Sequence, residues 1–138
     1  MKYTFILLSI ICIADVGTCL GIDQSICHPG SEITYNPDGQ VKSCTLKDNY
    51  GINGVNCKQN APISFYETGA LKSCNSGEDF MHEEIPCKQY GQVSFYATGK
   101  LNSCTLSKPI QIDGKTCAEL EPISLFENGK LQSCKAPQ

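Results

Sequence analysis

Cysteine is the residue type whose number and spacing most directly imply chemistry in this chain. Ten are present, and eight of them (Cys27, Cys44, Cys57, Cys74, Cys87, Cys104, Cys117 and Cys134) are separated alternately by 17 and 13 positions. Structural zinc is held by closely spaced pairs such as C-x₂₋₄-C. No such pair occurs, and the two histidines, His28 and His82, fall at non-equivalent places in the spacing. An even count of regularly spaced cysteines outside the reducing cytosol reads instead as a disulfide framework. The pairing 27–44, 57–74, 87–104 and 117–134 leaves no thiol over. The pairing 44–57, 74–87 and 104–117 strands Cys27 and Cys134, so the first is preferred.

Other reactive groups form no recognisable constellation. G-x-S-x-G, H-E-x-x-H and Gly-rich phosphate loops are absent from the sequence. A nucleophile needs a base and an orienting partner. His28 precedes Pro29 and Gly30 and reads as a turn residue, while His82 lies in an irregular stretch, residues 77–84, where it is expected to be exposed. Glu78-Asp79 and Glu83-Glu84 form an acidic cluster in the same stretch, read as a solvated loop rather than a cation site. The reading calls for no enzyme, no metal and no cofactor.

The cysteine spacing is one facet of a 30-residue repeat without insertion or deletion. Its best-kept parts are ITYNPDGQVKSC, ISFYETGALKSC, VSFYATGKLNSC and ISLFENGKLQSC. Each alternates apolar and polar residues, is rich in Ile, Val, Phe and Tyr, and is broken by Gly39, Gly69, Gly99 or Gly129. That is the pattern of a strand, a turn and a strand. A type I turn places Pro37, Glu67, Ala97 and Glu127 at its first central position and Gly in the left-handed slot that follows. The resulting register sets Phe65 opposite Leu71 and Ile63 opposite Ser73. One face then carries Ile63, Phe65 and Leu71, and the other carries Ser64, Tyr66, Lys72 and Cys74. On that second face Thr34, Ser64, Ser94 and Ser124 are expected to stack as a hydroxyl ladder beside Tyr66 and Tyr96, either as ordinary cross-strand pairs or as a surface for a glycan or protein partner.

One hairpin is marginal in water, but four can bury a continuous stripe, each against its neighbour. The expected fold is therefore all-β: four tandem antiparallel β-hairpin units of 30 residues, braced by disulfides, arranged as a meander or a β-solenoid with one unit per layer. The units run over about 27–56, 57–86, 87–116 and 117–138. At the F/Y-x-x-x-G-x-L core the units resemble MORN-type repeats, in the variant found in bacterial antitoxin-like repeat proteins. The resemblance covers about 12 residues in each 30 and implies stacked hairpins; the regular cysteines and the longer period depart from it, so no antitoxin role or binding residue is carried over.

Residues 1–21 carry a positive Lys2, an apolar run over 5–14 and small residues at Gly17, Thr18 and Gly21. This reads as a signal peptide, too short in its apolar part to span a bilayer. Two processing routes fit: cleavage after Gly21, the preferred one, and lipidation of Cys19, whose preceding Val16-Gly17-Thr18 resembles a bacterial lipobox. The remaining chain, 22–138, has a net charge of −3 and contains no arginine. Its lysines are spread evenly, which argues against nucleic acid as a partner. The expectation is a secreted, periplasmic or cell-surface repeat module without catalysis, acting by binding or as an envelope component. The alternative is a secreted inhibitor or immunity-like protein that blocks an enzyme with the atypical connector, residues 75–86.

Overall fold

A computed structural model describes residues 22–138. Residues 1–21, on which the signal-peptide and Cys19 readings fall, lie outside the described residues. After a short 3₁₀ turn, Gln24–Ile26, the described residues form fourteen strands. These are β1 (Thr34–Tyr35), β2 (Val41–Thr45), β3 (Tyr50–Ile52), β4 (Val55–Cys57), β5 (Pro62–Phe65), β6 (Leu71–Asn75) and β7 (Phe80–His82) in the first half. Then follow β8 (Ile85–Cys87), β9 (Gln92–Phe95), β10 (Leu101–Thr105), β11 (Ile110–Ile112), β12 (Lys115–Cys117), β13 (Pro122–Leu125) and β14 (Leu131–Cys134). Eight of them form one antiparallel meander, in the order β1-β2-β5-β6-β9-β10-β13-β14. The other six make three two-stranded hairpins, β3-β4, β7-β8 and β11-β12. Each unit therefore contributes one hairpin to a shared sheet and is joined to the next by a smaller connector hairpin.

The main turns follow from their sequences. Gly39, Gly69, Gly99 and Gly129 all have φ between 90° and 92°. In each turn the glycine N–H donates to the carbonyl three residues back, as Gly69 does to Tyr66 at 2.9 Å. Phe65 pairs with Leu71, as expected, but Ile63 pairs with Cys74 and not with Ser73. The reason is a β-bulge: Leu71 to Ser73 on β6 spans the single step from Phe65 to Ser64 on β5, leaving Lys72 as the extra residue. The same shift recurs in the other three hairpins. A one-residue slip moves every later side chain to the other face. Cys74 consequently joins Ile63 and Phe65 inside, and Ser73 turns to the polar side. The cystines thus lie in the core, opposite the face predicted for them.

The connectors pack beneath the sheet and close this core. Residues 77–84, expected to be irregular, contain β7 and the start of a hairpin with the same register as its two counterparts. The ring of His82 lies 5.1 Å from that of Phe95 in an edge-on contact, and Tyr50 meets Phe65 similarly at 6.5 Å. His82 is accordingly half-buried rather than exposed, at the place that Ile52 and Ile112 take in the other connectors. The units lie side by side in one sheet, not one per layer. A single cluster of buried side chains runs through all four, including Val41, Ile63, Phe95, Leu106 and Ile123.

Four cystines, Cys27–Cys44, Cys57–Cys74, Cys87–Cys104 and Cys117–Cys134, cross this core. In the last three, one sulfur comes from the end of a connector strand (β4, β8, β12) and the other from the main sheet (β6, β10, β14), so each bond ties the two layers together. Each closes a loop of 17 residues, worth about 3 kcal/mol in the chain-entropy account. Replacing Cys57 and Cys74 together by Ala is expected to lower unfolding free energy by about 3 kcal/mol or more, read from the urea midpoint and slope.

The connector tips differ in their turn chemistry. Asn53-Gly54, Glu83-Glu84 and Asp113-Gly114 all hold two successive positive φ values, the two-residue type I′ turn that prefers Asn-Gly or Asp-Gly. Glu83 and Glu84, at φ 49° and 72°, hold that turn against the steric preference of an L side chain. Lys100 Nζ makes an exposed 3.5 Å contact with Glu83, which contributes little at that exposure. The double substitution E83N/E84G is expected to stabilise the protein by about 1 kcal/mol, measured as an upward shift of the urea midpoint at unchanged slope.

Candidate functional site

The outward face of the eight-stranded sheet is where the repeat builds a continuous surface. Because of the bulges, both serine series point there. Thr34, Ser43, Ser64, Ser73, Ser94, Ser103, Ser124 and Ser133 pair successively across all eight strands in one row. The hydroxyls of Thr34 and Ser43 lie 2.5 Å apart, and those of Ser64–Ser73 and Ser94–Ser103 lie 2.7 Å apart. At a strand spacing of about 4.8 Å, the row extends about 34 Å. A hydroxyl pair that shares one hydrogen bond keeps one O–H free to donate and lone pairs free to accept. The row is therefore a line of repeated donors and acceptors on a rigid support.

Two further rows flank it. On one side Thr45 faces Pro62, Asn75 faces Gln92 and Thr105 faces Pro122. On the other lie the bulge residues Lys42, Lys72, Asn102 and Gln132, so the border is cationic in the first two units and neutral in the last two. The expected ladder of Thr34, Ser64, Ser94 and Ser124 is thus present, but it is twice as dense and lies on the face away from the cystines. The missing half was written in the Ser that precedes each cysteine. Only the bulge turns those serines outward.

In two of the three seams, adjacent hairpins are also joined near their turns. Tyr66 Oη donates to the Phe95 carbonyl at 2.7 Å, and Tyr96 Oη donates to the Leu125 carbonyl at 2.8 Å. Thr98 Oγ1 adds a 2.9 Å bond to Glu127 Oε2. Lys72 Nζ sits 5.6 Å from the centre of the Tyr66 ring.

Other candidates are placed elsewhere. His28 is an exposed turn residue whose Nδ1 lies 3.1 Å from the Pro29 carbonyl, and His82 packs on Phe95. Asp79 Oδ1 accepts from the Gln89 N–H at 2.7 Å, as Asn49 does from Gln59 at 2.9 Å, which makes it a structural brace of its connector. The Ser76 hydroxyl, buried where the other units have Leu46 and Leu106, is bonded to the backbone of Glu78. Among the described residues, no three of His, Cys, Asp and Glu gather in a way that could hold a metal ion, and no helix is long and apolar enough to cross a membrane. No protein-family model, curated protein or solved structure matches this chain.

Replacing Tyr66 and Tyr96 by Phe keeps both rings and removes both inter-unit hydrogen bonds. The expected loss is about 1 kcal/mol for each hydroxyl, measured by urea unfolding with the far-ultraviolet circular dichroism unchanged.

Proposed function

We propose that this chain is an exported, non-enzymatic repeat protein that binds an extended glycan along the outward face of its eight-stranded sheet. The observation that carries the reading is the unbroken hydroxyl row across eight strands. A polysaccharide is itself a periodic line of hydroxyl donors and acceptors, and repeat arrays commonly use extended surfaces for recognition. A rigid support also lowers the ordering cost of binding. Export is supported by the leader-like residues 1–21 and by four cystines, which persist in oxidising compartments. Release by cleavage after Gly21 and anchoring through Cys19 are the two forms that export takes in this reading. The likeness to MORN-type repeats supplies the idea of tandem hairpins and nothing about the ligand. The two imidazoles, one in a turn and one packed on a ring, support a role without catalysis.

A second reading, a secreted inhibitor acting through residues 75–86, is favoured by the Glu83-Glu84 tip. It is exposed and holds the turn without the Asn-Gly or Asp-Gly sequence of its counterparts.

Co-sedimentation with insoluble cellulose, chitin and peptidoglycan separates the two. The native protein is expected to partition onto at least one of these polymers. The S64V/S94V variant, which keeps strand propensity and removes two hydroxyls from the row, should lose about tenfold in affinity, equivalent to about 1.4 kcal/mol. The E83N/E84G variant should bind as the native protein does. Absence of binding by the native protein, or unchanged binding by S64V/S94V, refutes the glycan reading. Loss of binding only in E83N/E84G points to the connector instead.

A further inference from the structure

The seam between the first and second main hairpins lacks the inter-unit hydrogen bond of the seams that follow. In the next two seams a tyrosine, Tyr66 or Tyr96, reaches the carbonyl of the following hairpin at 2.7 or 2.8 Å. Its counterpart in the first hairpin is Asn36. The backbone there is the same: Asn36 N–H donates to the Gln40 carbonyl at 2.8 Å, as Tyr66 does to Ala70 at 2.9 Å, and Gly39 closes the turn on Asn36 at 2.9 Å. Only the ring is missing, and Asn is too short to bring a donor to Phe65, the carbonyl equivalent to Phe95.

The space has consequences that can be seen. A cavity of about 230 Å³ opens at this seam, lined by repeat-equivalent residues of the two hairpins. Tyr35, Asn36 and Lys42 contribute from the first, and Phe65, Tyr66 and Lys72 from the second. Asn36 is only 7% exposed, and among the described residues its buried Nδ2 has no hydrogen-bond partner. A buried amide left unpaired in this way is costly. Lys42 is the repeat equivalent of Lys72, whose Nζ stands 5.6 Å from the Tyr66 ring centre. The slot therefore has a cation placed by the same bulge that puts Lys72 over an aromatic ring.

We propose that this seam is a binding site for a phenol ring, which enters where the repeat's own tyrosine is absent and donates its hydroxyl to the Phe65 carbonyl under Lys42. The ring is carried either by a free phenol or by the tyrosine side chain of a partner segment. This site does not depend on the glycan reading, since it uses the seam and not the hydroxyl row.

The test titrates the native protein with p-cresol and with N-acetyl-tyrosinamide, following amide and Asn side-chain resonances by heteronuclear NMR. Shifts are expected at residues 35, 36, 42, 65–67 and 72. N36Y supplies the missing ring from within; it should raise the melting temperature and weaken cresol binding by at least about tenfold. K42A, an exposed change that leaves the seam open, should weaken it by about threefold. Tighter binding of the tyrosine amide than of cresol assigns the site to a partner's tyrosine, and the reverse assigns it to a free phenol. Absence of shifts with both probes, or shifts that persist unchanged in a folded N36Y, overturns the proposal.

Discussion

Each connector is a two-stranded hairpin of three residues per strand, which has too few contacts to hold itself in water. What gives it a place is the sulfur–sulfur bond through the core to the main sheet, at Cys57–Cys74, Cys87–Cys104 and Cys117–Cys134. Most of the rest depends on this constraint. With the connector pinned, its Val55 or Ile85 and its half-buried aromatic residues cover the inner face of the sheet beside Phe65 and Phe95. Without it, that face would be open to solvent, since it carries the largest fully buried side chains, Phe95, Ile63, Leu106 and Ile123 among them. The chain has no tryptophan and only five phenylalanines, so the covalent links compensate for a thin interior, as they do in small exported domains generally.

The bulge is the second device, and it connects the core to the surface. A regular hairpin would put the cysteine at position 74 and the serine at position 73 on the opposite faces from those they occupy. One extra residue per hairpin brings the sulfur inside, where it can reach the connector, and in the same step turns the serine out. The hydroxyl row and the cystine framework are therefore two results of one backbone irregularity. It repeats in every unit because the cysteine that has to be buried repeats in every unit.

Against this regularity, the departures are informative. Glu83-Glu84 takes a turn that its counterparts make with Asn-Gly and Asp-Gly. His82 takes a place otherwise held by isoleucine, and Ser76 one otherwise held by leucine. All three fall in the second connector, which is the least apolar of the three and has its buried hydroxyl satisfied by its own backbone. Asn36 is the departure in the first hairpin, where it lines a cavity and, among the described residues, leaves a buried amide unpaired. A change within a repeat shows its cost most clearly where the neighbouring units supply the comparison.

The sequence by itself determined the repeat, the all-β class and the hairpin turns, and gave a preference but no decision on the cystine pairing. These rest on local chemistry: cysteine spacing, a two-residue alternation, and a glycine needed for positive φ. Phe65 opposite Leu71 was legible for the same reason, since it sits next to the turn that sets it. The connector hairpins were only partly legible, because CNSGEDFMHEEIPC lacks the Ile-x-Gly ending that its counterparts share. Ile63 opposite Cys74, the position of the cystines inside and the density of the hydroxyl row were decided by tertiary structure. A bulge has no strong residue signature at Lys42, Lys72, Asn102 and Gln132; it is selected by which face can bury a cystine against a second layer. The empty seam at Asn36 is likewise invisible in one hairpin, because it exists only when the next hairpin is packed against it.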